Sequence, residues 1–112
     1  MTLAQIRKHA LSLAGATEEP HFDRTSFRVS GKIFVTAKPP EPYINVFVPE
    51  ELREPALEIY SAFVSKLFWG GKAVGLRVEI PKADPIVVRE LVTGAWQSKA
   101  SKPKSPARAR SR

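Results

Sequence analysis

The sequence predicts an α+β two-layer sandwich in the order α-β-β-β-α-β-β-α, and three observations carry that prediction. Thr2 and Gln5 form a capping-box pair ahead of Leu3, Ile6, Ala10 and Leu13 at helical spacing. Val74, Leu76, Val78 and Ile80 alternate strictly with other residues. Asp84 and Pro85 stand as cap and first residue of a last amphipathic stretch. Helices that flank runs of strands imply a five-stranded sheet, antiparallel or mixed, with the helices on one face.

The first helix should stop at Gly15, and Thr17 to Asp23 reads as a polar turn. Thr25 to Val29 and Lys32 to Lys38 are rich in β-formers and flank Ser30-Gly31, a hairpin signal. A two-residue loop would set Phe27 opposite Phe34 and Arg28 opposite Ile33. A three-residue loop would gather Phe27, Val29, Ile33, Val35 and Ala37 on one face, and this cleaner apolar face is the preferred register. Pro39, Pro40 and Pro42 interrupt the chain before a third strand over Tyr43 to Val48.

Pro49 suits a helix start, Glu50 and Glu51 suit its positive end, and the helix should reach about Ser61 with a kink or split at Pro55. Phe63 to Phe68 alternates poorly but precedes the turn-prone Trp69-Gly70-Gly71-Lys72 and the clear period-two strand. The other face of that strand carries Arg77 and Glu79, as a sheet covered on one side requires. In the last helix Val88, Leu91, Val92, Ala95 and Trp96 form the apolar stripe, which Gly94 weakens slightly.

Of the net charge of +7, residues 99–112 contribute +6 and residues 1–98 only +1. The expected organisation is therefore a nearly neutral domain over residues 1–98 and a disordered basic tail over 99–112, whose Lys, Arg, Pro, Ser and Ala bury nothing. A body of that size buries roughly 60 to 70% of its unfolded surface, enough for one core. The chain has no cysteine, which removes disulfides and thiolate metal sites. No secretory signal and no apolar run long enough for a membrane span is visible, so a cytoplasmic location and no membrane contact are expected.

The run Ala10-Leu11-Ser12-Leu13-Ala14-Gly15-Ala16-Thr17-Glu18-Glu19, then Phe22, Phe27-Arg28-Val29, Gly31-Lys32-Ile33-Phe34, Trp69-Gly70-Gly71-Lys72, Gly75 and Ala95-Trp96 resembles the MmcQ/YjbR-like family over about residues 2–98. The resemblance implies a fold related to type III secretion chaperones and a DNA-binding role through a double-wing arrangement of hairpins. The chain departs from the family pattern at Ala14, where proline is usual before the glycine. It departs again at Leu76, where an aromatic residue often follows Gly75, and in its cationic tail.

Charge and resemblance together point to duplex DNA bound non-specifically and without catalysis. The expected contacts in the body are Arg24, Arg28 and Lys32 at one hairpin and Lys72 and Arg77 at the other. In the tail they are Lys99, Lys102, Lys104, Arg108, Arg110 and Arg112, which lack the interleaved aromatics that stack single-stranded bases. Phosphorylation of Ser101, Ser105 or Ser111 would lower the tail's charge. Ordinary surface charge is the competing account of the hairpin cations. The last helix exposes Arg89, Glu90, Thr93 and Gln97, which is not a basic recognition face.

A protein-interaction module using the sheet or the acidic stripe of Glu50, Glu54 and Glu58 is the alternative function. An enzyme would have to be built on Glu18, Glu19, His21, Asp23 and Ser26. Neighbours in one turn rarely converge on a point, so neither catalysis nor a cofactor nor a metal is expected. Trp69, Trp96, Tyr43, Tyr60 and Phe68 could line a pocket, but core packing is the expectation. Gly70-Gly71-Lys72 lacks the remainder of a phosphate-loop motif and reads as a turn.

Overall fold

Thr2 caps the first helix as its sequence demands. Its hydroxyl accepts from the Gln5 amide at 3.2 Å, and the Gln5 side chain accepts from the Thr2 amide at 2.8 Å. The computed structural model describes residues 1–100. The elements are α1 (Leu3–Ser12), β1 (Thr17–His21), β2 (Arg24–Val29), β3 (Lys32–Ala37), β4 (Tyr43–Val46), α2 (Glu50–Ile59), β5 (Val64–Trp69), β6 (Lys72–Glu79), a 3₁₀ turn (Ile80–Lys82) and α3 (Pro85–Ala100). All strands pair antiparallel in the order β1-β2-β3-β4-β6-β5. The α+β sandwich is as expected, but the sheet has six strands rather than five.

The extra strand is β1, which the sequence presents as a turn. Thr17-Glu18-Glu19-Pro20-His21 is polar and contains a proline, yet it pairs residue for residue with β2. An edge strand has only one partner, so Pro20 can turn its donor-free nitrogen outward. Side chains hold the strand in place. Ser26 Oγ donates to the Glu19 carbonyl at 2.8 Å, and Thr25 Oγ1 donates to Glu18 at 2.8 Å. Arg7 of α1 donates to both Glu18 oxygens at 2.9 and 2.8 Å.

The β2-β3 loop has two residues, not the three preferred from the apolar pattern. Ser30 and Gly31 take φ of 53° and 76°, the double positive φ of a type I′ turn. The register then shifts by a bulge, so that Arg28 faces Ile33 while Phe27 faces Val35. One extra residue on β3 thus restores the apolar face that the short loop alone would have broken.

α2 begins after Pro49, which serves as its extended N-cap, and ends at Ile59 with Tyr60 as C-cap. It is one helix rather than two. Pro55 withholds a bond from the Glu51 carbonyl, and Glu51 lies exposed in the first turn where water can replace that donor. In α3 Asp84 caps as expected, its Oδ1 accepting from the Ile86 amide at 2.9 Å. The helix continues to Ala100, so that Lys99 lies in its last turn.

The core lies between one sheet face and the helices, with Ile6 and Ala10 of α1 and Val88 and Val92 of α3 set against Phe27, Val35, Ile44, Val46, Leu76 and Val78. Trp96 is only half-buried and donates from Nε1 to the Ala14 carbonyl at 2.8 Å, tying α3 to the loop after α1. His9 of α1 meets the Thr93 hydroxyl at 2.9 Å.

Gly75 of β6 lies so close to β4 that a Cβ there would overlap the Val46 carbonyl oxygen and stand 3.0 Å from Phe47 Cα. The obstacle is backbone at the centre of the sheet, so Gly75→Ala should cost at least about 3 kcal/mol in urea unfolding or prevent folding altogether. Gly94→Ala would meet only the end of the half-exposed Leu52 side chain, at 2.8 Å. That change should leave stability within about 1 kcal/mol of the parent in the same measurement.

Arg7, chiefly through its hydrogen bonds, holds the Glu18 carboxyl below its ordinary value of 4.5, with Thr25 donating as well. A lowered folded-state value means stability that is complete above the unfolded pKa and is lost as pH falls through the folded one. Glu18→Gln should therefore lower the melting temperature at neutral pH, and the difference from the parent should vanish in melts run below the carboxylate range.

Candidate functional site

The two loops expected to act as wings lie at the same end of the sheet. Val35, Val46 and Leu76 form one cross-strand row over β3, β4 and β6. Lys32 and Lys72 precede that row on the same side. Since β4 alone separates β3 from β6, the two hairpin arms stand about 10 Å apart at the row, two strand spacings. Each arm has the same construction of a register-shifting bulge, two residue pairs and a two-residue turn. Gly70 and Gly71 take φ of 57° and 78°, matching Ser30 and Gly31. A lysine follows each turn, and both lysines are exposed, with no side-chain ion pair or hydrogen bond among the described residues.

The side chains of the arginines assigned to these wings are engaged away from the tips. Arg24 lies at the opposite end of β2, beside the turn to β1, and its Nη2 donates to Glu41 at 2.7 Å. Arg28 folds back across the sheet, donating to Ser26 Oγ at 2.9 Å and to the Pro20 carbonyl at 3.4 Å. Arg77 sits mid-strand with its guanidinium 4.1 Å from the centre of the Tyr43 ring. Lys99 occupies the last turn of α3, whereas Lys102, Lys104, Arg108, Arg110 and Arg112 lie outside the described residues, as do Ser101, Ser105 and Ser111.

The acidic stripe on α2 is interrupted at its middle. Glu54 accepts from Arg53 at 2.8 Å and meets Lys66 at 3.4 Å, and the Arg53 hydrogen bond chiefly lowers its pKa.

The helix-free face of the sheet carries a row of polar side chains running through all six strands: Glu19, Ser26, Thr36, Asn45, Arg77 and Ser65. Ser26, Thr36 and Asn45 are buried although no helix among the described residues covers them. Longer side chains close over the row, among them Arg28 on Ser26 and Tyr43 stacked with Arg77. Trp69 and Phe68 are not core residues as expected but are about half exposed, and Trp69 leans on Phe47 with ring centroids 4.9 Å apart. Beside the row lies an open groove of about 620 Å³ lined by His21, Phe22, Asp23, Arg24, Thr36, Asn45 and Trp69.

Sequence reasoning did not single out Thr36 or Asn45. The available signal was Asn45 within the apolar run Tyr43 to Val48, where a polar residue on a short strand marks the face turned from the core. Asp23, also in this groove, is held below its usual pKa mainly by its hydrogen bond from Lys38, at 2.7 Å. Among the described residues no group of three His, Cys, Asp or Glu side chains could hold a metal ion, and no helix is long and apolar enough to cross a membrane.

A family model described as YjbR matches residues 11–98, more than three quarters of the chain. The chain belongs to the YjbR family. Comparison with curated proteins gives no match. The matched segment contains both hairpins, all six strands and the lining of the groove. Within this YjbR domain the Arg24–Glu41 pair is partly shielded, so Glu41→Gln should remove the charge that balances the Arg24 guanidinium while leaving it an acceptor. The expected loss is about 1 kcal/mol in urea unfolding, with the fold retained.

Proposed function

We propose that this YjbR-family protein binds duplex DNA through phosphate contacts, with Lys32 and Lys72 at the tips of two matched hairpins as the primary contacts in the folded body. The observation that carries this reading is the pairing of the two arms. Each ends in a type I′ turn followed by an exposed lysine whose side chain has no partner among the described residues, and both project from one end of the sheet. At the row behind the tips β3 and β6 lie about 10 Å apart, on the scale of the roughly 12 Å width of the major groove. Bulges behind the tips sharpen the local twist, which suits a ribbon following a helical groove. The basic run ending at Arg112 adds positive charge in sequence and no base-reading chemistry.

The reading assigns no catalytic step, and it gives Arg24, Arg28 and Arg77 a structural part because Arg24 is paired with Glu41, Arg28 is hydrogen-bonded to Ser26 and Arg77 lies on the Tyr43 ring. It predicts a division among the cations. Lys32→Ala with Lys72→Ala should reduce the salt dependence of duplex affinity by about 2 in the slope of log K against log salt, roughly one per lysine. Arg28→Gln should leave that slope unchanged and act instead on unfolding free energy. Equal slopes for the parent and the double lysine variant, measured by anisotropy between about 50 and 200 mM salt, would exclude the wings as the contact surface. Ending the chain at Ala100 separates the share due to the basic run.

A further inference from the structure

Among the described residues three buried side-chain atoms lack a hydrogen-bond partner, Asn45 Oδ1, Arg24 Nη1 and Arg77 Nε, and the first two, which differ in kind, belong to residues lining the groove on the open face of the sheet. Asn45 Nδ2 donates to Thr36 Oγ1 at 3.2 Å, which leaves Asn45 Oδ1, an acceptor, unmatched. Arg24 Nη2 is spent on Glu41, which leaves Arg24 Nη1, a donor, unmatched. Asn45 is 5% exposed. Buried polar atoms are nearly always satisfied, and each one left bare is costly. Here a donor and an acceptor belong to residues lining the same groove.

The walls of the groove are aromatic and unusually open. Phe22 is 95% exposed, in a left-handed conformation of φ 60° that a bulky side chain rarely adopts, and Trp69 is 51% exposed. The Phe22 and His21 rings meet edge-on, with centroids 4.8 Å apart. The charges present are balanced, Arg24 by Glu41 and Asp23 by Lys38. A balanced groove offers no excess positive charge to a phosphate or other polyanion. It offers flat apolar surface for stacking and, among the residues that line it, one covered donor and one covered acceptor.

We infer that this groove binds a neutral planar heteroaromatic ring carrying both an acceptor and a donor, the chemistry of a nucleobase, with Phe22 and Trp69 as stacking surfaces and Arg24 Nη1 and Asn45 Oδ1 as its polar contacts. The groove volume of about 620 Å³ accommodates a base with its sugar. Such a ring comes either as a free nucleoside or as an unstacked base in a single strand, and both present the same edge and face. The inference does not depend on duplex contact by Lys32 and Lys72, which lie at the wing tips outside the groove lining.

The four deoxynucleosides and a short single-stranded oligodeoxynucleotide are each titrated into the full chain, with the Asn45 side-chain amide and Trp69 indole followed by ¹⁵N-resolved NMR. Saturable shifts at both positions are expected with at least one probe. Shifts with nucleosides identify a free ligand, and shifts with the strand alone identify an unstacked base. Phe22→Gly removes an exposed ring at a φ that glycine adopts freely, so it should fold like the parent yet bind about ten-fold more weakly. Asn45→Leu should weaken binding similarly. Cyclohexanol should shift neither resonance.

The inference is overturned if no nucleoside or strand moves these resonances, if cyclohexanol moves them equally, or if Phe22→Gly binds as the parent does. Duplex affinity measured on the same Phe22→Gly sample should be unchanged, so failure of the groove and failure of the wings are read separately.

Discussion

The placement of β4 between β3 and β6 fixes nearly everything else in this molecule, and it depends on Gly75. The strand that fills the middle of the sheet is only four residues long, and the backbone of its neighbour β6 comes so close at Gly75 that no side chain fits. This contact joins two pieces that are separate in sequence, the meander of β1 to β4 and the β5-β6 hairpin. Antiparallel pairing on both sides of β4 then sends the two hairpin arms in the same direction. One bare α-carbon thus converts two unrelated turns into a matched pair.

The two faces of the sheet follow different physical rules. Against α1 and α3 the sheet presents Phe27, Val35, Ile44 and Val78, and exclusion of water from these side chains supplies the main driving force for folding. The other face has no helix above it among the described residues and is organised by directional contacts, a polar row beneath long arms and rings. Removal of an apolar side chain weakens the first face roughly in proportion to area. The second face is sensitive to which atom pairs with which, and that sensitivity is what recognition requires.

Much of the fold is legible in the sequence because local signals agree with tertiary demands. Thr2 with Gln5, Asp84 with Pro85, and the alternation through Val74, Leu76 and Val78 each specify one element, and the structure contains each of them. β1 was hidden because its strand character comes from its neighbour. Thr17 to His21 has no alternation and only Thr17 is β-branched, and its pairing is held by hydroxyls and by Arg7. The hairpin register was hidden because a bulge at Phe34 absorbs the mismatch that a pattern count resolves by lengthening the loop. Lys32 and Lys72 were legible as hairpin cations, since a lysine after a glycine turn is exposed. The engagement of Arg24 and Arg28 was not, because Glu41 and the Pro20 carbonyl become neighbours only once the sheet has formed.

β1 also forms one border of the sheet. A strand arriving from another molecule would meet Pro20, which has no hydrogen to offer, and the carboxylates of Glu18 and Glu19 on either flank of the approach. The same five residues that looked like a mere turn therefore serve as a selvedge, guarding this side of the domain against the strand-by-strand polymerisation to which an open β-layer is otherwise prone.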